Sequence, residues 1–184
     1  EGYKVVVRIV ERDVGYDGLR GKIIEILGDP DDPKLDFLSL VRRFDLQVVF
    51  SDAVQREAAQ ARIDLDLNRR EDLRGLSCCT IDPEEAKDFD DAISIKKIEN
   101  GHRVLGVHIA DVSHFVQEGT ELDKEAKDRA TSVYLLDRVI HMLPARLAAE
   151  ICTLAPGEDR LAMSVFIEVD ATGALVDYRI CESV

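Results

Sequence analysis

Apolar and polar positions along the chain change their period several times, and each change marks an element. Residues 3–11 and 18–28 are two Val- and Ile-rich runs separated by a Gly-containing turn, a strand composition that Gly28-Asp-Pro-Asp-Asp-Pro33 brings to an end. From Leu35 to Arg43 the spacing of Leu35, Leu38, Leu40 and Val41, with Phe37, suits a short helix, and Ser51 stands as the N-cap of a second one through residues 54–62. Residues 63–74 are strongly charged with little apolar weight, which reads as an exposed loop and puts a domain boundary near residues 60–75. Beyond it, two β-prone runs flank Asn100-Gly101, the strongest short-range hairpin signal. Thr120 and Asp123 resemble a capping box, so a helix starts near Glu121, and good helix formers continue so that Tyr134 falls near its end. Finally Leu161, Met163, Val165, Ile167 and Val169 alternate on one face before a turn at Ala171-Thr172-Gly173 and a return strand. The architecture is α+β with a sheet as scaffold.

Composition sharpens this picture. With 184 residues, 46% of them hydrophobic, the chain has enough apolar weight for one substantial core, or one core and a small flanking module. The formal charge of −13 excludes a domain that grips nucleic acid by bulk electrostatics. The scattered cations Arg42, Arg43, Arg69, Arg70, Lys96 and Lys97 read as solvated surface. Cys78, Cys79, Cys152 and Cys181 form no CxxC pair and meet no His at zinc-finger spacing, so they read as reduced thiols of a cytoplasmic protein. No segment approaches the roughly 20 continuous apolar residues of a membrane span, and no signal-peptide pattern opens the chain.

Candidate chemistry concentrates in residues 80–94. Asp82, Asp88, Asp90 and Asp91 fall within ten residues, and like charges so crowded are tolerated when a cation or strong donors neutralise them. Oxygen-only ligands point to a hard ion, Mg²⁺ or Mn²⁺, with Ca²⁺ as the other option. Asp88 and Asp90 project from one side of an extended segment, a turn at Asp82-Pro83 brings Asp82 alongside, and Asp91 needs a bulge or bend to join them. If Asn100-Gly101 is a two-residue loop, Glu99 faces His102 and Asp90 faces Asp111, which makes Asp111 a further carboxylate of the site. The competing reading is a solvated acidic turn. A calcium loop of EF-hand type fails, because Ala92 and Ile93 stand where an oxygen ligand and a glycine are needed. His108 lies inside a β run and reads as packed rather than as a ligand, as the bland alternative to a His/Asp site with Asp111 and His114. Ser113 lacks the Gly-x-Ser-x-Gly context, and no Gly-rich phosphate loop is present, which excludes a nucleotide cofactor held that way.

At EDLRGLSCCTIDPEEAKDFDDAIS, and again at GVHIADVSHFV, ELDKEAKDRATSVYL and HMLPARLAAEICTLAPGEDRLAMSVF, in that order, the chain resembles the ribonuclease II/R (RNB-domain) 3′–5′ exoribonuclease family. The resemblance implies part of an RNB catalytic domain over residues 61–184, preceded in residues 1–60 by the last strands of a cold-shock-like OB domain and a linker. It implies Mg²⁺-dependent hydrolysis of single-stranded RNA from the 3′ end, releasing nucleoside 5′-monophosphates. Asp82, Asp88, Asp90 and Asp91 then become the active-site aspartates, with Asp82, Asp88 and Asp91 serving the metal and Asp90 essential for cleavage. Tyr134 becomes the ring that packs against the 3′-terminal nucleotide. The family usually has Pro where Leu136 and His141 stand and Ser where Ala148 stands, departures that touch no carboxylate. It also implies that the remainder of the catalytic domain and a C-terminal RNA-binding domain belong to a longer parent chain. Two further readings are a catalytically inactive RNB-type module that binds RNA or a partner, and a metal-binding regulatory domain.

Overall fold

The computed structural model describes residues 2–12 and 19–184, so the turn expected between the first two strands lies outside the described residues. The chain divides into two compact units, residues 1–49 and 50–184. Among the described residues no helix is long and apolar enough to cross a membrane.

In the first unit, β1 (Lys4–Arg12) and β2 (Leu19–Gly28) form an antiparallel ribbon interrupted by three register shifts. The helix α1 (Lys34–Arg43) follows, as its apolar spacing predicts. Arg42 grips Glu25 of β2 through two hydrogen bonds of 2.6 and 3.1 Å, and Lys4 pairs with Asp36 at 3.0 Å, so helix and ribbon are tied by charge as well as by Leu35 beneath Gly28. Gly28 has φ +134°, and a Cβ there would sit 2.9 Å from Leu35 Cδ1, so this corner needs glycine. Val5, Val7, Ile9, Ile23 and Ile26 remain exposed on the ribbon.

The second unit is built on an antiparallel sheet of four strands in the order β3 (Asp91–Lys97), β4 (Arg103–Ala110), β7 (Ala162–Val169) and β8 (Leu175–Ser183). A short ribbon, β5 (Val133–Tyr134) with β6 (Val139–Ile140), and the helices α2 (Asp52–Gln60), α3 (Val112–Phe115) and α4 (Glu121–Arg129) complete it, with a π-helical turn at Arg146–Ile151. Val54 and Ala58 of α2, Leu122 of α4, and Leu147, Ile151 and Cys152 of the π turn bury one another beside Leu143 and Ala110, the last residue of β4. This apolar cluster sits where the sheet hands over to the helices. Ser51 caps α2 by accepting from the Val54 amide, as its position predicts. Thr120 caps α4 by accepting from the Asp123 amide, while Glu57 of α2 accepts from the amides of Glu121 and Leu122. The orphan donors of α4 are thus satisfied by its own cap and by its neighbour.

Three expectations are corrected. The first hairpin turns through three residues, Glu99-Asn100-Gly101, with Gly101 at φ +86° and its amide donating to Ile98 O at 3.0 Å. Lys97 therefore faces Arg103, Asp91 faces Ile109, and the amide of Ala110, not Asp111, meets Asp90. The helix begun at Glu121 stops at Arg129, because Ala130 takes a left-handed φ of +62° and Arg129 is drawn onto the Phe50 ring and the His141 carbonyl. Tyr134 lies in β5 instead. The charged stretch 63–74 is a loop, but not wholly exposed, since Arg70 is buried in it.

Two buried polar networks stiffen the second unit. Arg70 donates to Asp111 Oδ2 at 2.6 Å, with side chains only 5% and 4% exposed, and reaches the carbonyls of Ala162 and Ser183 at 3.4 Å. Burial pushes the Asp111 carboxyl up, but Arg70, the Ser113 hydroxyl and the His114 amide outweigh it and hold the group below the usual carboxylate range. Across the sheet, Ser94, His108, Ser164 and Ser183 form a continuous side-chain chain with contacts of 2.9, 2.7 and 2.6 Å. His108 is the packed histidine that its β context predicts; burial lowers its pKa and keeps it neutral. Gly106 lets this chain close, because a Cβ there would stand 2.3 Å from Ser94 Oγ and 2.8 Å from His108 Nε2.

Breaking one side of a buried ion pair costs about 3–5 kcal/mol, whereas replacing both partners with apolar groups costs far less. Arg70→Met is therefore expected to lower the urea-unfolding free energy by about that amount, and Arg70→Met with Asp111→Leu to restore most of it.

Candidate active site

The path of the backbone explains how aspartates spread over ten residues come together. Cys79 pairs with Ile93 through two amide–carbonyl bonds of 2.9 Å, which lays residues 79–80 beside β3. The chain then reverses at Pro83–Ala86, where the Ala86 amide donates to Pro83 O at 3.0 Å, and returns through residues 87–90 into β3. Asp82 precedes this turn, Asp88 and Asp90 lie on the return, and Asp91 opens the strand. The sequence-predicted turn after Asp82 is present.

The return segment is pinned on three sides. The Leu154 amide donates to Phe89 O at 2.8 Å, the Ala110 amide donates to Asp90 O at 2.9 Å, and the Phe89 amide donates to Thr153 Oγ1 at 2.9 Å. Against this fixed backbone the carboxylates press on one another. The Asp90 carboxyl is held above the usual carboxylate range, first by desolvation in the protein around it and then by the charges of Asp88, Asp91 and Asp82. The charges of Asp82, Asp88 and Asp91 all reach Asp90. Among the described residues, no three Asp, Glu, His or Cys side chains yet converge as a ready metal cage.

Tyr134 is brought to the same place from the β5–β6 ribbon. Its hydroxyl donates to Asp88 Oδ2 at 2.6 Å, while the residue as a whole stays 63% exposed. The Asp88 acceptor, followed by burial and the charges of Asp88 and Asp90, pushes the phenol up to about 12, so the hydroxyl keeps its proton. Of the three family departures, Leu136 is fully exposed in the loop after Tyr134, His141 is half-buried, and Ala148 packs against the apolar core from the π turn. Asp111 stays outside the cluster, bound to Arg70, and His114 Nδ1 lies 3.3 Å from the same guanidinium. Sequence reasoning gave no role to Thr153, and only a contact 64 residues apart, from its hydroxyl to Phe89, reveals one.

An antiparallel sheet whose first strand opens on a pinned aspartate loop, with an exposed tyrosine of β5 bonded to it, defines the class: the family model of the RNB domain matches residues 70–184, and that of a cold shock domain matches residues 1–51. The chain belongs to the RNB-domain family of ribonuclease II/R type, a family of exoribonucleases. It is 49% identical to ribonuclease R of Thermotoga maritima over 98% of this chain and 26% of that protein. Ribonuclease R of Mycoplasma genitalium, solved with ribose-methylated single-stranded RNA and with double-stranded RNA, is 31% identical and superposes with TM-scores of 0.85 and 0.86. Those matches cover 99% of this chain and 29% and 33% of the solved chains. The chain thus spans about a quarter of the length of the curated relatives it matches.

Because the folded chain binds the Asp90 proton more tightly than the unfolded chain does, ionised Asp90 opposes folding above its raised pKa, and this penalty vanishes at lower pH. In metal-free buffer Asp90→Asn is expected to raise the melting temperature slightly at pH 7, the gain being limited by solvent screening of this exposed residue and disappearing as the pH falls below about 4. A loss of stability at pH 7 would contradict this electrostatic account.

Proposed function

We propose that this chain carries the aspartate half of the active site of a hydrolytic 3′–5′ exoribonuclease, which acts on single-stranded RNA and releases nucleoside 5′-monophosphates. The observation that carries the proposal is the placing of Asp82, Asp88, Asp90 and Asp91 along one pinned loop, where the charges of the other three reach Asp90, beside Tyr134 and within a scaffold of the RNB family.

The donor set is all carboxylate oxygen, which suits a hard divalent ion, Mg²⁺ with Mn²⁺ as a substitute. Asp82, Asp88 and Asp91 are the residues proposed to hold it. Bound there, such an ion supplies a Lewis acid for the scissile phosphate and a water of lowered pKa. Asp90, whose carboxylate is made more basic by desolvation and then by the charges of Asp88, Asp91 and Asp82, is suited to take up a proton as the phosphodiester is cleaved. Tyr134 offers its exposed ring to the terminal base, and stacking of this kind tolerates any base, as a non-specific exonuclease requires. Its hydroxyl orients Asp88 in the meantime. The free thiols Cys78 and Cys79, both exposed, suit a reducing compartment, and the cytoplasm is the proposed location. The acidic balance of −13 means that further RNA contacts come from the parent chain's remaining parts.

The test is degradation of a 5′-labelled single-stranded RNA with Mg²⁺. The expected result is a ladder shortening from the 3′ end, slowed about 1,000-fold or more by Asp90→Asn and by EDTA, equivalent to about 4 kcal/mol of barrier. Intact RNA despite bound Mg²⁺ would assign the activity to the longer parent and leave this chain as an RNB-type binding module. Binding of a short single strand in EDTA is expected to weaken by about 5- to 150-fold with Tyr134→Ala, and little with Tyr134→Phe, as measured by fluorescence anisotropy.

A further inference from the structure

We infer that Thr153 is a positioning residue that fixes the backbone on both sides of Asp88, and through it the geometry in which the aspartates receive a divalent ion. The inference rests on the reading above that these carboxylates hold a metal.

Thr153 is only 2% exposed and lies 62 to 71 residues from the aspartates in sequence. Its hydroxyl uses both of its capacities on the aspartate loop. It accepts from the Phe89 amide at 2.9 Å and donates to the Lys87 carbonyl at 3.1 Å. These two groups flank Asp88. The next residue adds a third bond, from the Leu154 amide to Phe89 O at 2.8 Å. Residues 153–154 therefore stitch residues 87–89 in place, and Ala110 does the same one residue further on, at Asp90.

The position of Thr153 is itself built. The π-helical turn Arg146–Ile151 closes with the Cys152 amide donating to Leu147 O at 2.8 Å, and Leu147, Ile151 and Cys152 are buried in the apolar core. Such widened turns cost regular helix geometry and cluster at functional sites. Here the turn delivers a hydroxyl from the rigid core to the back of the loop. A loop bearing mutually repelling carboxylates would otherwise splay, and metal ligands must be held within about 0.5 Å of their working geometry.

No other side chain of the described hydrogen bonds contacts the backbone of residues 87–89. Thr153→Val keeps the shape but removes both bonds and leaves the part-buried Phe89 amide and Lys87 carbonyl without this partner, whereas Thr153→Ser keeps the hydroxyl. Groups that support metal ligands from behind typically contribute 10- to 100-fold to metal affinity.

The experiment is a Mn²⁺ titration of the chain followed by the EPR signal of free Mn²⁺, with melting temperatures recorded in parallel. Thr153→Val is expected to weaken Mn²⁺ binding by about tenfold or more at a temperature where it is fully folded, and Thr153→Ser to stay within about twofold of the parent. If Thr153→Val does not fold, Thr153→Ala replaces it in the same comparison with Thr153→Ser. Unchanged affinity in the folded hydroxyl-free variant, even with a lowered melting temperature, overturns the inference and leaves Thr153 a purely structural residue. Asp88→Asn separates the two claims. If it fails to weaken Mn²⁺ binding, the metal reading itself fails and the inference falls with it; if it weakens binding while the hydroxyl-free variant does not, only the inference is lost.

Discussion

The Asp90 carboxyl, desolvated and set among the like charges of Asp88, Asp91 and Asp82, is the constraint around which the aspartate loop is organised. It is held above the usual carboxylate range, first by desolvation and then by those three charges. A flexible loop would relieve that repulsion by opening. This loop is instead tied by backbone hydrogen bonds to β4 at Ala110 and to Leu154 after the π turn, and by the Thr153 hydroxyl. The stability lost at the aspartates is offset by the apolar cluster of α2, α4 and the π turn, from which two of those ties are delivered.

The rest of the unit is rigid for a second reason, since its polar groups are buried in closed networks rather than left to water. Arg70 joins the loop before the sheet to Asp111 at the end of β4 and to the carbonyls of Ala162 and Ser183. The chain from Ser94 through His108 and Ser164 to Ser183 crosses all four strands of the sheet. Networks of this kind specify register, because a slip of one residue would orphan every member. Register matters here: it decides that Ala110 meets Asp90 and that Asp111 turns away to Arg70.

Much of this was legible in the sequence, and the parts that were not share a cause. Local chemistry announced itself: Ser51 and Thr120 are caps, Asn100-Gly101 lies in a turn, and the aspartate run stood out by charge density and by its resemblance to a family. Outcomes set by distant partners did not. The three-residue turn that shifts the register by one depends on the conformation of Gly101, to which a two-residue count is blind. The end of α4 is set by Phe50 and by a left-handed Ala130, neither of which a propensity scale weighs. Arg70 looked like one of several surface cations because its partner lies 41 residues away, and Thr153 carried no local signal at all. Tyr134 was placed on the wrong element by helix-forming composition, and its bond to Asp88, 46 residues away, had no local signal.

The most direct test of the central claim, that these aspartates form a divalent-metal site, is a crystal structure of the chain grown with Mn²⁺ and measured at the manganese absorption edge. The account predicts an anomalous peak within about 2.0–2.3 Å of carboxylate oxygens of Asp82, Asp88 and Asp91. Crystals with a well-ordered loop and no such peak at millimolar Mn²⁺, or with a peak held by other residues, would contradict it.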